Sequence, residues 1–236
     1  PKCGKTTSVA RLEGNLIFDL ESGAKLLSGL IVDVPEVAKE EKVTPLNLLR
    51  RYYNLIKQNG NGHYPFITFD SVDILEDLII EEVSQKHGVG HISDLSYGKG
   101  DAILRDEFFK LVNAFKQLGN KIILVGHRKR AIIGESGAEV IIRELDLRGK
   151  LRNMIMGYAD AIGYVFSTDH SLMVSFKPGT NEDIAAGSRC PYLANREIEL
   201  GKFNDDGELI EIKWDCIFPE LNGHSRAKGG KNGNKN

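Results

Sequence analysis

Short apolar runs ending on an acid alternate along this chain with longer stretches whose apolar residues recur three and four apart. Asn15-Leu16-Ile17-Phe18-Asp19 reads as a strand, and Pro65-Phe66-Ile67-Thr68-Phe69-Asp70 as a second, buried one. Lys121-Ile122-Ile123-Leu124-Val125-Gly126 is a third, and its lack of any period is the pattern of a strand covered by helices on both faces. Between them, Thr44 is a helix N-cap before a first-turn Pro45, opening a helix through Leu49, Tyr52 and Ile56. Val72 to His87 is helical in pattern and stops at Gly88. Leu104, Phe108, Leu111, Phe115 and Leu118 form the clearest amphipathic stripe, ended by Gly119-Asn120.

The pattern is less regular elsewhere. A Gly/His/Ser-rich connection spans Gly88 to Gly100, and Arg128 to Lys150 reads as a long loop or a hairpin. Ala161 to Phe166, Leu172 to Phe176 and Glu197 to Leu200 are β-rich, and a last hairpin joins Gly201-Lys202-Phe203 to Leu209 through Trp214 across Asn204-Asp205-Asp206-Gly207. These elements predict an α/β fold, a mostly parallel sheet flanked by helices with β-hairpin additions toward the C-terminus. Residues 1–222 form the expected domain, and 223–236 a disordered basic tail carrying Arg226, Lys228, Lys231 and Lys235.

Composition narrows the class. A hydrophobic fraction of 41% and a charged fraction of 27% are those of an ordinary globule, and no apolar run reaches membrane-spanning length. The three cysteines, Cys3, Cys190 and Cys216, show neither metal-ligand spacing nor a disulfide framework, so a reducing, cytoplasmic setting is expected. A net charge of −2 argues against a globally basic nucleic-acid coat protein but leaves room for a local basic loop.

The candidate chemistry begins at Cys3-Gly4-Lys5-Thr6-Thr7. Gly4-Lys5-Thr6 is the second half of the phosphate-loop pattern, Gly, four residues, Gly-Lys, then Ser or Thr. In such a loop the backbone N–H groups converge on phosphate oxygens, Lys5 reaches the β and γ phosphates, and the Thr6 hydroxyl ligates Mg²⁺. Thr7 falls in the first turn of the following helix. The plainer alternative is a chance turn with an N-cap threonine. The first glycine of the pattern would lie two positions before Pro1, and the strand that feeds such a loop does not precede it, so further chain upstream is expected.

Asp70, at the end of an apolar strand, matches the Walker B pattern of a carboxylate beside Mg²⁺, the alternative being a cap on the helix that starts near Val72. Taken together, Gly4-Lys5-Thr6-Thr7, Ile17-Phe18-Asp19-Leu20-Glu21 and Ile67-Thr68-Phe69-Asp70-Ser71-Val72 resemble the core of RecA-like P-loop ATPases. The likeness is closest to the compact phage-type members that act in single-strand annealing and recombination. Ser71 stands where many AAA+ ATPases carry a catalytic glutamate. The resemblance implies instead that Asp19, Glu21 or both approach the γ phosphate, with Glu21 activating water. It also implies that His127 occupies the sensor position after the third strand. An acidic cap on the Ser22-Gly23-Ala24 turn is the competing reading of the acids.

The same resemblance implies single-stranded DNA held by the segments Gly88–Gly100 and Arg128–Lys150. Arg128, Lys129, Arg130 and Arg148 are the candidate contacts and Tyr97 the stacking residue. ATP and Mg²⁺ are the expected cofactors and a ring or filament of identical subunits the expected assembly, with Arg189 a weaker candidate for reaching a nucleotide across a subunit boundary. Rival readings are an annealing module that uses ATP only as a conformational ligand, and a P-loop helicase loader or kinase.

Overall fold

Buried apolar runs with no polar face can pair only where helices cover both sides, and that is how the central strands sit. The structure is a computed structural model describing residues 4–60, 63–133, 140–178 and 186–222, with backbone alone for 130–133 and 140–144. Strands β1 (Asn15–Asp19), β2 (Leu30–Asp33), β3 (Phe66–Asp70) and β4 (Lys121–Val125) form an all-parallel sheet in the order β2-β1-β3-β4. Every residue of β1 and β3 is buried. β4 departs from the expected double cover. It lies at one edge of the described sheet, so Lys121 is exposed, Ile122 to Leu124 are half-buried and only Val125 is buried.

Helix α1 (Lys5–Ala10) precedes β1, and α2 (Val34–Glu40) and α3 (Pro45–Asn59) precede β3. The Thr44 side chain accepts the Asn47 N–H with Pro45 at the first helical position, as the cap-and-proline signal predicts. α4 (Val72–His87) ends on Gly88 in the left-handed region, and α5 (Lys99–Gln117) buries Leu104, Phe108, Val112 and Phe115, with Leu111 at the edge of the stripe. Phe18, Phe69 and Phe115 meet at the centre with ring centroids 5.4 to 5.5 Å apart, contacts worth about 0.5–1.5 kcal/mol each beyond burial. The Gly88–Gly100 connection contains two single-turn 3-10 segments, Ile92–Asp94 and Ser96–Gly98. Gly100 locks them onto α5, since a Cβ there would lie 2.1 Å from the Ile92 carbonyl oxygen.

Two elements escaped the periodicity argument. The β2–α2 unit is short, yet Asp33 caps α2 by accepting the Glu36 N–H, with Pro35 in the first turn. α6 (Gly149–Tyr158) buries only Leu151 and Ile155, too little for a visible stripe. The Arg128–Lys150 segment resolves as a hairpin, β5 (Arg128–Ile133) against β6 (Val140–Leu145), running into α6.

Toward the C-terminus the β-rich segments pair antiparallel. The run Ala161–Phe166 is not one strand. β7 (Ala161–Ile162) pairs with β10 (Gly187–Ser188), while β8 (Tyr164–Ser167) joins β9 (Ser171–Ser175), β11 (Glu197–Phe203) and β12 (Leu209–Ile212) in the order β12-β11-β9-β8. The break falls at Gly163, where a Cβ would lie 2.7 Å from Val174. A second core of Leu172, Val174, Phe176, Leu193, Leu200, Leu209 and Ile217 lies within this sheet. It meets the parallel unit through Trp214, whose Nε1–H donates to the Ser8 carbonyl at 2.9 Å, and through Phe218, 4.7 Å from the Phe66 ring centroid. No described helix is long and apolar enough to cross a membrane.

Helices α3 and α4 are clamped by a two-pronged ion pair, with Arg50 Nη1 and Nη2 donating to Glu82 Oε1 and Oε2 at 2.8 and 2.7 Å. The Arg50 bonds, aided by Lys86 against a smaller opposing effect of burial, hold the Glu82 carboxyl down at about 2. A depressed carboxylate stabilises the fold above its unfolded-state value and loses that contribution as pH falls through its folded value. The stability advantage of the wild type over Glu82→Gln, followed by urea melts, is therefore expected to be level at neutral pH and to shrink between roughly pH 4.5 and 2.

Candidate functional site

The parallel register puts Asp33, Asp19, Asp70 and Val125 level across the sheet, at the carboxyl ends of all four strands. That end is where an open α/β sheet binds ligands, because the loops leaving the strands diverge there. Gly4 begins α1 at φ 83°, a backbone conformation natural to glycine, with Leu172 of β9 packed against it. Lys5 Nζ donates to the Gly126 carbonyl beyond β4 at 2.7 Å, and the Thr6 hydroxyl donates to Asp70 Oδ2 at 2.6 Å. Asp70 therefore faces Thr6 rather than capping α4, whose N-cap is Ser71. Thr7 lies in the first turn of α1, and Cys3 falls outside the described residues.

The two acids after β1 separate. Asp19 is buried and accepts the Glu21 and Ala24 N–H groups at 3.0 and 2.7 Å, so it shapes the turn as a cap would. Glu21 reaches across to Ser71, whose hydroxyl donates to Glu21 Oε1, and lies 3.5 Å from His127 Nδ1. His127 is tied to Asp73 on the first turn of α4, through its backbone N–H at 3.3 Å and Nδ1 at 3.0 Å. Burial, with Glu21 and Asp19 nearby, pushes the Asp70 carboxyl up, against the Thr6 bond and Lys5. Asp73 is also half-buried, which acts to raise it, but hydrogen bonds from His127, its own backbone and Ser71 bring it below the usual range.

Two sets of ligand atoms stand here. The Thr6 hydroxyl and Asp70 carboxylate are hard oxygen donors of the kind Mg²⁺ takes. Glu21, Asp73 and His127 each place one candidate atom within 4.8 Å of the others, although Asp73 already bonds His127 and Glu21 accepts the Ser71 hydroxyl.

The fold thus gathers Lys5, Thr6, Glu21, Asp70 and His127 from four separate chain segments: the start of α1, the turn after β1, the end of β3 and the residues after β4. It also adds Ser71, Asp73 and the Gly126 carbonyl, which sequence reasoning passed over. Asp73 sits three residues after Asp70 on the next helix, a spacing that could have flagged it, but its pairing with His127 spans 54 positions. Three of the basic candidates, Arg128, Lys129 and Arg148, are engaged by other groups. Arg128 covers the Tyr164 ring at 5.2 Å and bonds its hydroxyl, and Lys129 pairs with Asp146 at 3.0 Å. Arg148 donates from Nε to Asp101 at 2.9 Å, while its backbone N–H is held by Glu76. The Arg130 side chain and the tail from 223 are outside the described residues. Arg189 bonds the Gly157 carbonyl. Tyr97 is fully exposed and lines a cleft together with Asp101, Arg105, Arg148 and Lys150.

The sequence profile of an AAA domain matches residues 1–196, a span containing the phosphate loop and all four parallel strands. No curated protein and no solved structure matches the chain.

Proposed function

Because the chain belongs to the AAA domain family, whose P-loop site binds nucleotide, we propose that it is a Mg²⁺-dependent ATPase acting on single-stranded DNA in recombination, annealing or repair. The observation that carries the ATPase reading is the convergence of Lys5, Thr6, Asp70 and Glu21 at one end of the sheet. Lys5 exchanges its bond to Gly126 for the β- and γ-phosphate oxygens. Thr6 and Asp70 hold Mg²⁺, which when bound neutralises phosphate charge. Glu21, kept in place by Ser71, orients and deprotonates the attacking water. His127, next to the Lys5 acceptor Gly126, reads the terminal phosphate.

The DNA part of this reading is supported by Tyr97. A fully exposed ring beside Arg105 and Lys150 has the make-up of a base-stacking platform flanked by phosphate contacts. The resemblance of the Gly4–Thr7, Ile17–Glu21 and Ile67–Val72 motifs to RecA-like ATPases is what suggests the same partner and a ring or filament assembly. The test is ATP turnover measured with and without single-stranded DNA. We expect Mg²⁺-dependent release of phosphate that rises when DNA is added and falls back as salt increases, since phosphate contacts are screened. Phosphorylation of a small molecule instead would favour a kinase, and turnover indifferent to DNA would remove the DNA reading.

A further inference from the structure

Both carboxylate oxygens of Asp73 meet His127, with Oδ1 accepting its backbone N–H at 3.3 Å and Oδ2 lying 3.0 Å from its Nδ1. Burial works against its charge, but the bonds from His127, its own backbone and Ser71 prevail, so near neutral pH it is a carboxylate that can only accept. The proton between the two groups therefore resides on Nδ1. Asp73 Oδ2 and Glu21 Oε1 both approach Nδ1, at 3.0 and 3.5 Å, which leaves Nε2 as the nitrogen with a lone pair in the neutral ring. Gly126, the preceding residue, accepts Lys5 Nζ, which sets His127 beside the phosphate-loop lysine.

We propose that Asp73 is a positioning residue for hydrolysis, holding His127 in its Nδ1–H form and in one ring orientation so that Nε2 is presented to the terminal phosphate. This rests on the ATPase reading above. A carboxylate that orients an imidazole in this way fixes which nitrogen is free to act. The plainer role for Asp73, an acid favouring the first turn of α4, would touch stability alone. Asp73→Asn separates the two. The amide oxygen can still accept the His127 N–H, but the amide nitrogen is a donor, so Nδ1 must accept and the proton moves to Nε2.

The experiment pairs steady-state kinetics with ¹⁵N spectra of the imidazoles, His127 being assigned among the six histidines by its loss in His127→Gln. We expect Nδ1 protonated in the wild type and a changed tautomer in Asp73→Asn. We also expect kcat to fall on the order of tenfold to a hundredfold, as for other orienting carboxylates, with KM for ATP little changed. The double variant Asp73→Asn/His127→Gln should be no slower than His127→Gln alone, because the first change acts through the second. Wild-type kcat in Asp73→Asn, or an unprotonated Nδ1 in the wild type, overturns the proposal. If Asp73→Asn does not fold, the wild-type spectrum still decides. If the wild type turns over no ATP, it is the ATPase reading that falls, while the tautomer remains readable.

Discussion

Replacing Lys5 by alanine is expected to abolish turnover and weaken ATP binding by about one to two orders of magnitude, the loss that charge-assisted bonds of about 1.5–3 kcal/mol imply. Among the described residues the side chain's hydrogen bond is to the Gly126 carbonyl at 2.7 Å, an acceptor just beyond the carboxyl end of β4, where water can replace the ammonium. The fold should therefore survive, and far-ultraviolet circular dichroism with a urea melt would establish that it does. Fluorescent-nucleotide titration and phosphate release are the measurements that decide. A Lys5→Ala protein with full ATPase activity would falsify the assignment of the phosphate loop, whatever the rest of the site does.

Glu21→Gln is expected to lower kcat by roughly 10²–10⁴, the range for removing a positioned general base, while ATP affinity stays within about threefold. Glutamine keeps the length of the side chain and an oxygen able to accept the Ser71 hydroxyl, so geometry is retained and only the base is lost. The variant should accumulate bound, unhydrolysed ATP, seen as nucleotide retained after rapid desalting. It also separates the leading reading from its rival. An annealing module that uses ATP as a conformational ligand would anneal complementary strands equally well with Glu21→Gln. Unchanged turnover would instead move the base elsewhere, with His127, 3.5 Å from Glu21, the next candidate.

Much of the architecture was legible in the linear pattern because it rests on local rules. β1, β3 and β4 announce themselves as apolar runs, and α3, α4 and α5 through caps, stops and a 3.6-residue stripe. The Asn204–Gly207 turn likewise sits where expected, with Gly207 at φ 78° between β11 and β12. α6 was not legible, since two buried residues in ten carry no period, and β7 and β8 were merged because Gly163 breaks them only through its close approach to Val174.

The candidate site divides along the same line. Sequence by itself determined the motif residues Lys5, Thr6 and Asp70 and the acidic end of β1, since each follows from residue type beside a predicted element. It left Asp19 and Glu21 equivalent, because period-2 geometry puts both on one face. Only the tertiary structure told them apart. The chain turns sharply after β1, Asp19 is consumed by the Glu21 and Ala24 N–H groups, and Glu21 is carried to Ser71, 50 positions away. The same holds for the Asp73–His127 pair and for Arg148, whose charge looked free in sequence and is bonded to Asp101 in the fold. Hydrogen bonds between groups so distant along the chain depend on parallel strand register, a property of the sheet as a whole that no local run of residues encodes.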